Sequence, residues 1–354
     1  MTLDTPTYPC FDSRQNAMSD VHQEEFVLIR GTRLSVTPVF EAYWRFAAER
    51  QRIFFRRLNN TSGAFTEDPV LKNFKFTNAY RASDRVSQYL IRNVIYREDL
   101  PSDERNVFFR VLLFKMFNKI ETWESLEVEI GPLVWEDFSF SRYDAILSER
   151  MSKGCRIYSA AYIMPSGGTS FGHKFKHQNH LKMLEYLIRK DYPSRLVDCK
   201  DMAEAFTLLR SVPSVGPFLA YQYVTDLNYS DLTNFSEDEF VVAGPGALDG
   251  IHKCFIGVNA VKPADVIRYM LENQDTHFSD LGIIFPSLWG RRLQLIDCQN
   301  LFCEISKYAR VAFPEVPSVA GRTRIKQKFQ FSGSLPVPWY PPKWNIDTRI
   351  CWSF

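Results

Sequence analysis

The stretch that decides the fold runs from Leu209 to Tyr229 and reads LRSVPSVGPFLAYQYVTDLNY. Two helical patterns flank a Pro- and Gly-bearing turn that is too short to contain a strand. Backbone N–H groups at such a turn, and at the start of the next helix, attract anions such as DNA phosphate. The pattern predicts a helix-hairpin-helix whose DNA-binding residues are Pro213, Ser214, Val215, Gly216 and Pro217.

The turn residues have separate expected roles. Pro213 sets the entry of the turn, Gly216 supplies a flexible position, and Pro217 suits the first position of the second helix. Ser214 stands where this motif usually has its first glycine. An ordinary helix–helix corner is therefore the alternative interpretation.

Composition excludes several classes of protein. The chain has 354 residues, 45% of them hydrophobic, and a net charge of +2. It has no run of 18 apolar residues and no charged-then-apolar signal peptide, so we expect no membrane partner. The seven Cys are scattered without a C-x-x-C spacing, which argues against a disulfide framework and a four-Cys zinc site. We expect an intracellular protein, in the nucleus if the source is eukaryotic and in the cytoplasm if it is prokaryotic or viral.

Charge is distributed unevenly along the chain. Residues 310–354 carry seven Lys/Arg against two acids, and residues 171–196 carry six against two. A basic face suits a phosphate backbone, and a solvated surface of mixed charge is the alternative.

The chain divides into three predicted parts. Residues 1–30 form a loose polar leader, 31–312 a helical domain, and 313–354 a basic tail rich in Pro and aromatic residues. Helical patterns cover 36–58, 76–97, 103–121, 136–150, 173–191, 201–211, 262–273 and 288–310. Residues 157–168 are a short β-prone run, and 236–250 contain a glycine-rich turn.

Five blocks resemble, in order, the helical domain of 5-hydroxymethyldeoxyuridine DNA kinases. They are FTNAYRASDRVSQYLI (76–91), LLFKMFNKIETWESL (112–126), SVGPFLAYQYVTDLNYS (214–230), DEFVVAGPGALDGIHKCF (238–255) and LQLIDCQNLFCEISKYAR (293–310). The wider group includes the alpha-glutamyl/putrescinyl thymine pyrophosphorylases of bacteriophages. The resemblance covers roughly residues 35–310. It implies a mainly α, helix-hairpin-helix fold like that of DNA glycosylases, with two helical lobes around a cleft.

The resemblance implies a role in the synthesis of hypermodified thymine in DNA. In that route a kinase phosphorylates the hydroxymethyl group of the base, and a second enzyme replaces the activated group with an amine. This chain has no G-x-x-x-x-G-K-[ST] phosphate loop. The nearest run, from Gly244 to Gly250, continues with Ile, His and Lys. We therefore expect a transferase- or pyrophosphorylase-like member, with DNA and a separate DNA kinase or hydroxylase as partners. The cofactor stays open, with a divalent cation among the options.

Chemistry on a base requires its extrusion from the duplex into a pocket. Glycosylase relatives place an Asp about twenty residues after the hairpin glycine, and the nearest carboxylates here are Asp238 and Glu239. We predict these two as catalytic, either as a base for an amine or as ligands that position a metal. Close approach of a backbone or of a phosphate would explain the turn formed by Gly244, Pro245 and Gly246. A solvated acidic loop and a strand end are the alternatives.

Further candidates lie on predicted helices. Arg81, Asp84, Arg85 and Gln88 fall on one stripe, with Asp84 and Arg85 predicted as catalytic. Substrate-binding candidates on the helical segments are Tyr80, Arg81, Gln88, Asn118, Asp297, Gln299, Asn300 and Glu304. For Asn118, on a very apolar helix, the choice is between a buried network and a pocket wall. For the stripe and the late helix, a solvated face is the alternative.

No metal site is predicted. His173, His177 and His180 have helical spacing, but no acidic or Cys partner adjoins them and H-E-x-x-H is absent. A basic helix that faces phosphate fits them better.

We predict that one pocket gathers the Arg81 stripe, the Gly244–Gly246 turn and the late helix. The first functional hypothesis is an enzyme that acts on an extruded 5-hydroxymethylpyrimidine, bare or phosphorylated, by substitution or removal at the exocyclic group. The second is a non-catalytic DNA-binding or scaffold module with the same fold. The third is a DNA glycosylase.

Overall fold

A computed structural model describes residues 25–59, 64–160, 164–331 and 333–349, and within them the chain is mainly helical, as predicted. The α-helices are α1 Pro38–Leu58, α2 Pro69–Asn73, α3 Arg85–Tyr89, α4 Glu104–Phe117, α5 Ile120–Ile130, α6 Phe140–Ser152, α7 Gly168–Phe171, α8 Lys176–Arg189, α9 Tyr192–Val197, α10 Met202–Arg210, α11 Pro217–Leu227, α12 Pro245–Cys254, α13 Pro263–Glu272, α14 Gln274–Asp280 and α15 Leu295–Ala312. Among the described residues, no helix is long and apolar enough to cross a membrane.

The helices form two groups that share one core. In the first, α1, α12, α13 and α15 pack together; in the second, α4 packs with α8, α9 and α11, and α10 packs against α11. Buried apolar side chains of both groups belong to a single cluster. The predicted cleft between two helical lobes stays a prediction.

Helix α1 follows its sequence signals closely. The Thr37 side chain accepts a hydrogen bond from the backbone N–H of Val39, and Pro38 occupies the first helical position. Its apolar side, with Tyr43 and Trp44 fully buried, faces α12 and α15. The predicted helix over 36–58 is therefore confirmed, and it begins at Pro38.

A small antiparallel sheet joins the beginning of the fold to its later part. Strand β1 (Phe26–Ile29) pairs with β2 (Thr32–Val36), and β2 pairs with β3 (Phe255–Ile256). Residues 26–29, which we assigned to the leader, are thus part of the folded domain. Residues 1–24 of that predicted leader lie outside the described residues.

The hairpin segment consists of two helices, α10 and α11, joined by a tight turn, as predicted. The left-handed position is Ser214, with φ +67°, and not Gly216, whose φ is −77°. Gly216, for which we predicted a flexible position, is the N-cap of α11 in an extended conformation that other residues also adopt. Ser214 adopts the backbone geometry that glycine adopts without strain.

The predicted helix over 76–97 was wrong in its first half. Residues 76–80 are extended or turn-like, Arg81–Ser83 form a 3₁₀ turn, and α3 continues into a π-helical turn at Leu90–Ile95. Tertiary hydrogen bonds explain the difference, because Arg50 of α1 donates to the carbonyls of Phe76 and Thr77. These bonds replace the ones that a local helix would form.

The predicted glycine-rich turn is the start and body of α12. Gly244 is its N-cap and Pro245 its first residue. A Cβ on Gly250 would lie 2.0 Å from the carbonyl oxygen of Phe302, and one on Gly246 would lie 3.1 Å from the Cys303 thiol. Gly246 and Gly250 therefore allow α12 to pack closely on α15. For Gly246 the approaching group belongs to a neighbouring helix, and a phosphate contact there stays a prediction.

Residues 313–349 are largely irregular but pack on the body. Tyr340 is buried and its hydroxyl shares a hydrogen bond with Ser83 at 2.8 Å. Lys343 donates to the carbonyls of Ser230 and Thr233. In the described part of the 157–168 run, no strand forms.

Candidate functional site

A buried polar cluster lies against α11, the helix that follows the hairpin. The guanidinium of Arg81 contacts both oxygens of Asp226, at 2.8 and 3.1 Å. It also donates to the Tyr229 hydroxyl at 2.8 Å and to the Gln222 carbonyl oxygen at 3.0 Å. Arg81 is 8% exposed and Asp226 is fully buried. This planar, bidentate arrangement fixes the guanidinium in place.

A second cation completes the cluster. Lys115 of α4 lies 3.0 Å from a carboxylate oxygen of Asp226 and donates to the Asn118 side chain at 2.9 Å. Burial raises the pKa of Asp226, but the attraction and hydrogen bonds of Arg81 and Lys115 outweigh it and lower that pKa overall. Burial lowers the pKa of Lys115. With all three groups ionised, the cluster carries two positive charges and one negative charge.

Sequence reasoning missed Gln222, Asp226 and Tyr229, although a signal was present. The three occur at positions i, i+4 and i+7 of a segment that is otherwise largely apolar; Gln222 and Asp226 share one face of α11, and Tyr229 follows in the turn after it. Polar groups on a buried helix face need partners. Lys115 and Asn118 are part of the network, and Asn118 is partly exposed.

The late helix α15 holds the segment that precedes Arg81. Asp297 accepts hydrogen bonds from the backbone N–H of Arg81 at 2.8 Å and of Gln294 at 3.0 Å. Asn300 donates to the Thr77 hydroxyl, and Glu304 accepts from the Thr77 backbone N–H. These α15 residues therefore position the backbone of the loop, and their predicted role of contacting substrate directly stays a prediction.

Two carboxyl groups near this loop have raised pKa values. Burial raises the pKa of Asp84 to about 7. A hydrogen bond from the Asn78 backbone N–H acts in the opposite direction and lowers this pKa, but burial outweighs it. Burial likewise raises the pKa of Asp297 to about 6. A carboxyl group that titrates near neutral pH can exchange protons during a reaction.

The predicted stripe is not one helical face. Arg81 points into the cluster, Arg85 is exposed, and Gln88 bonds to the Ala82 carbonyl and the Trp339 backbone N–H. Tyr80 is buried and donates to the Arg291 carbonyl. Because the residues before Asp84 do not form an α-helix, these side chains point in different directions.

Gly244 connects α12 to the hairpin helix. A Cβ on Gly244 would lie 2.7 Å from the ring of Phe218 in α11 and 3.4 Å from the Gln299 amide nitrogen of α15. Phe218 precedes Gln222 by one helical turn, and Gln222 bonds to Arg81. The structure thus brings Gly244, Gln299 and the Arg81 cluster into the same part of the molecule, with Pro245 exposed beside them.

Asp238 and Glu239 lie apart from these contacts. Both are exposed, and Arg268 donates to their backbone carbonyls. The Asp238 carboxylate accepts a hydrogen bond from Ser236. No contact among the described residues links either carboxylate to the Arg81 cluster.

The hairpin turn has an open helix start. No side chain caps α11, and the Ser214 hydroxyl pairs with Ser170 at 3.0 Å. No atom lies within 4 Å of a Cβ built on Gly216. A ligand can therefore approach the turn at Gly216 without displacing a side chain there.

The histidine trio has other partners. His177 lies 2.7 Å from Asp144, and His180 contacts the Tyr158 hydroxyl and the Pro165 carbonyl. Burial lowers the pKa of His180 to about 4. Within the described ranges, no three His, Cys, Asp or Glu side chains are grouped to hold a metal.

Comparison with known proteins assigns the chain to a family. Residues 37–318 match the family model described as 5-hmdU DNA kinase, helical domain. A 5-hmdU DNA kinase of Bacillus phage SP10 is 25% identical over 294 residues, which are 76% of this chain and 45% of that relative. The chain thus spans less than half the length of this curated relative, and no solved structure matches. The chain belongs to the family of 5-hmdU DNA kinase helical domains.

Proposed function

We propose that this protein binds DNA inside the cell and takes part in modifying 5-hydroxymethyluracil in it. The SP10 relative is named for that base, and this chain shares its helical domain. The observation that carries the proposal is the Arg81–Asp226–Lys115 cluster on the helix that starts at the hairpin. One helix thereby connects a candidate phosphate contact with a candidate base site.

The hairpin supplies the first step, contact with DNA. The uncapped start of α11 and the exposed turn offer backbone N–H groups to a phosphate. Such contacts position a protein on DNA without reading its sequence. The residues that we assign to this contact are Pro213, Ser214, Val215, Gly216 and Pro217.

The cluster supplies the second step, recognition of the extruded base. Two cations beside one carboxylate favour a negatively charged substituent, such as a phosphorylated hydroxymethyl group. In a substitution, an amine nitrogen bonds to the exocyclic carbon as the C–O bond to phosphate breaks, and a base accepts the amine proton. Asp84, whose pKa is raised to about 7, is our candidate for that base, and exposed Arg85 for the phosphate contact.

A non-catalytic DNA-binding module is the second candidate, and one observation favours it. Arg81 already bonds to Asp226, Tyr229 and Gln222, so its guanidinium is well satisfied without a ligand. In this case the cluster would be structural, and the chemistry would belong to a partner such as a separate DNA kinase or hydroxylase. The glycosylase hypothesis has less support, because Asp238 and Glu239 are exposed away from the cluster.

The experiment is incubation with duplex DNA that carries 5-hydroxymethyluracil or its phosphorylated form, with and without Mg²⁺ and an amine donor. Nucleoside mass spectrometry then measures the modified base. The enzyme proposal expects a new nucleoside that Asp84→Asn and Arg85→Ala abolish, while duplex binding persists. Duplex binding without any new nucleoside supports the module instead, and absence of both rejects the DNA role.

A further inference from the structure

A cavity of about 410 Å³ lies between the turn that precedes α15 and the C-terminal segment. Its lining residues are Trp289, Gly290, Arg291, Arg292, Gln294, Trp344, Asn345 and Ile346. This lining contains two arginines and two side-chain amides but, among the described residues, no carboxylate. Groups that donate hydrogen bonds therefore dominate its polar surface.

The two arginines keep donors for a ligand. Arg291 contacts Glu237 at 2.8 Å and lies 3.8 Å over the Trp344 ring, so its guanidinium is held in place. Arg292 is 52% exposed and contacts Asp275, which is 76% exposed, at 2.9 Å. An exposed pair of this kind contributes little stability. Each guanidinium has five N–H groups and contacts one carboxylate, so several remain available.

Trp344 lines the cavity on the side of the C-terminal segment. Its indole N–H is buried and has no hydrogen-bond acceptor among the described residues. Because this N–H has no accessible surface, it does not face the cavity, and Trp344 contributes to the site as part of its wall.

We propose that this cavity binds the phosphate group of a nucleotide, through Arg291 and Arg292. Guanidinium groups match phosphate geometry with paired hydrogen bonds. The phosphate can come from a DNA strand or from a free nucleotide, and both present the same group. Trp344 packs on Tyr229 at 5.7 Å between ring centroids, and Tyr229 bonds to Arg81. The cavity therefore adjoins the Arg81 cluster, but none of its lining residues belongs to that cluster, so the proposal does not depend on base modification.

The test is titration of the full-length ¹⁵N-labelled protein with inorganic phosphate, dTMP and a single-stranded oligothymidine. The indole N–H resonance of Trp344, assigned by its disappearance in Trp344→Phe, should shift saturably. The charge-swapped variant Arg292→Glu/Asp275→Lys keeps the surface ion pair but removes the cavity cation. It should weaken binding about tenfold or more.

A matched control is Lys153→Glu/Glu149→Lys, which swaps another exposed pair outside the cavity lining and should leave the titration unchanged. Saturation by dTMP identifies a free-nucleotide source, and saturation by the oligonucleotide alone identifies a DNA strand. No saturable shift with any probe overturns the proposal. Equal affinity of wild type and Arg292→Glu/Asp275→Lys overturns it as well.

Discussion

Substitution of Gly250 by Ala tests whether the α12 glycines serve helix packing. A Cβ at this position would lie 2.0 Å from the Phe302 carbonyl oxygen. An ordinary C···O contact is about 3.3 Å, so α12 and α15 must separate locally by about 1.3 Å. The obstacle is backbone within a helix, which cannot rotate away as a side chain can.

The expected free-energy change follows from two opposing effects. Overpacking of a core costs about 1–3 kcal/mol, and the upper value applies because the clash is with backbone. Alanine in a helix interior regains about 1 kcal/mol relative to glycine. We therefore expect Gly250→Ala to lower the free energy of unfolding by about 2 kcal/mol.

Gly246→Ala is the matched control in the same helix. Its Cβ would lie 3.1 Å from the Cys303 thiol, which is a side chain that can rotate, so the change should stay within about 0.5 kcal/mol. Urea unfolding followed by circular dichroism measures both variants. Wild-type stability of Gly250→Ala, together with reduced DNA affinity in Gly246→Ala, would refute the packing role and restore a phosphate-facing one.

Three further predictions concern the hairpin, the cluster and Asp84. Gly216→Glu should weaken duplex binding and reduce the salt slope by about one unit for each phosphate that the protein no longer neutralises, whereas Gly216→Ala should keep most of the binding. Anisotropy titrations at several salt concentrations measure this, and equal binding by both variants contradicts the hairpin assignment. Asp226→Asn leaves two buried cations without a carboxylate and should cost about 3–5 kcal/mol in urea unfolding; a neutral effect would contradict the ion network. Burial raises the pKa of Asp84 from 3.8 to about 7, so the native state retains a proton that the unfolded state releases in this window. The Asp84 contribution to stability should therefore fall as pH rises from about 4 to about 7, and Asp84→Asn should flatten that part of the urea-midpoint profile; an unchanged profile contradicts the raised pKa.

The elements that sequence predicted well are those with local signals. Thr37-Pro38 starts α1, and Asp103 caps α4, because capping involves residues within one turn of each other. The hairpin was predictable for the same reason. Pro217 restricts the backbone at the first position of α11, which is where a proline suits a helix.

The candidate site depends on pairings that local patterns do not encode. Arg81 and Asp226 are 145 residues apart, so neither residue alone indicates the other. The helical pattern over 76–97 failed because distant α1 and α15 side chains bind the backbone of its first part. Gly250 was assigned to a turn because the helix that contacts it lies about fifty residues further along the chain.

The packing of α1 on α15 has a consequence for synthesis. Tyr43 of α1 donates a hydrogen bond to the Cys298 carbonyl, 255 residues later. At about 5–20 residues per second, a ribosome needs roughly 13–50 s to make the intervening chain. Until α12 and then α15 have been made, the aromatic side of the first helix lacks most of its native cover. The nascent chain is therefore expected to depend on a chaperone that shields this helix until the last one emerges.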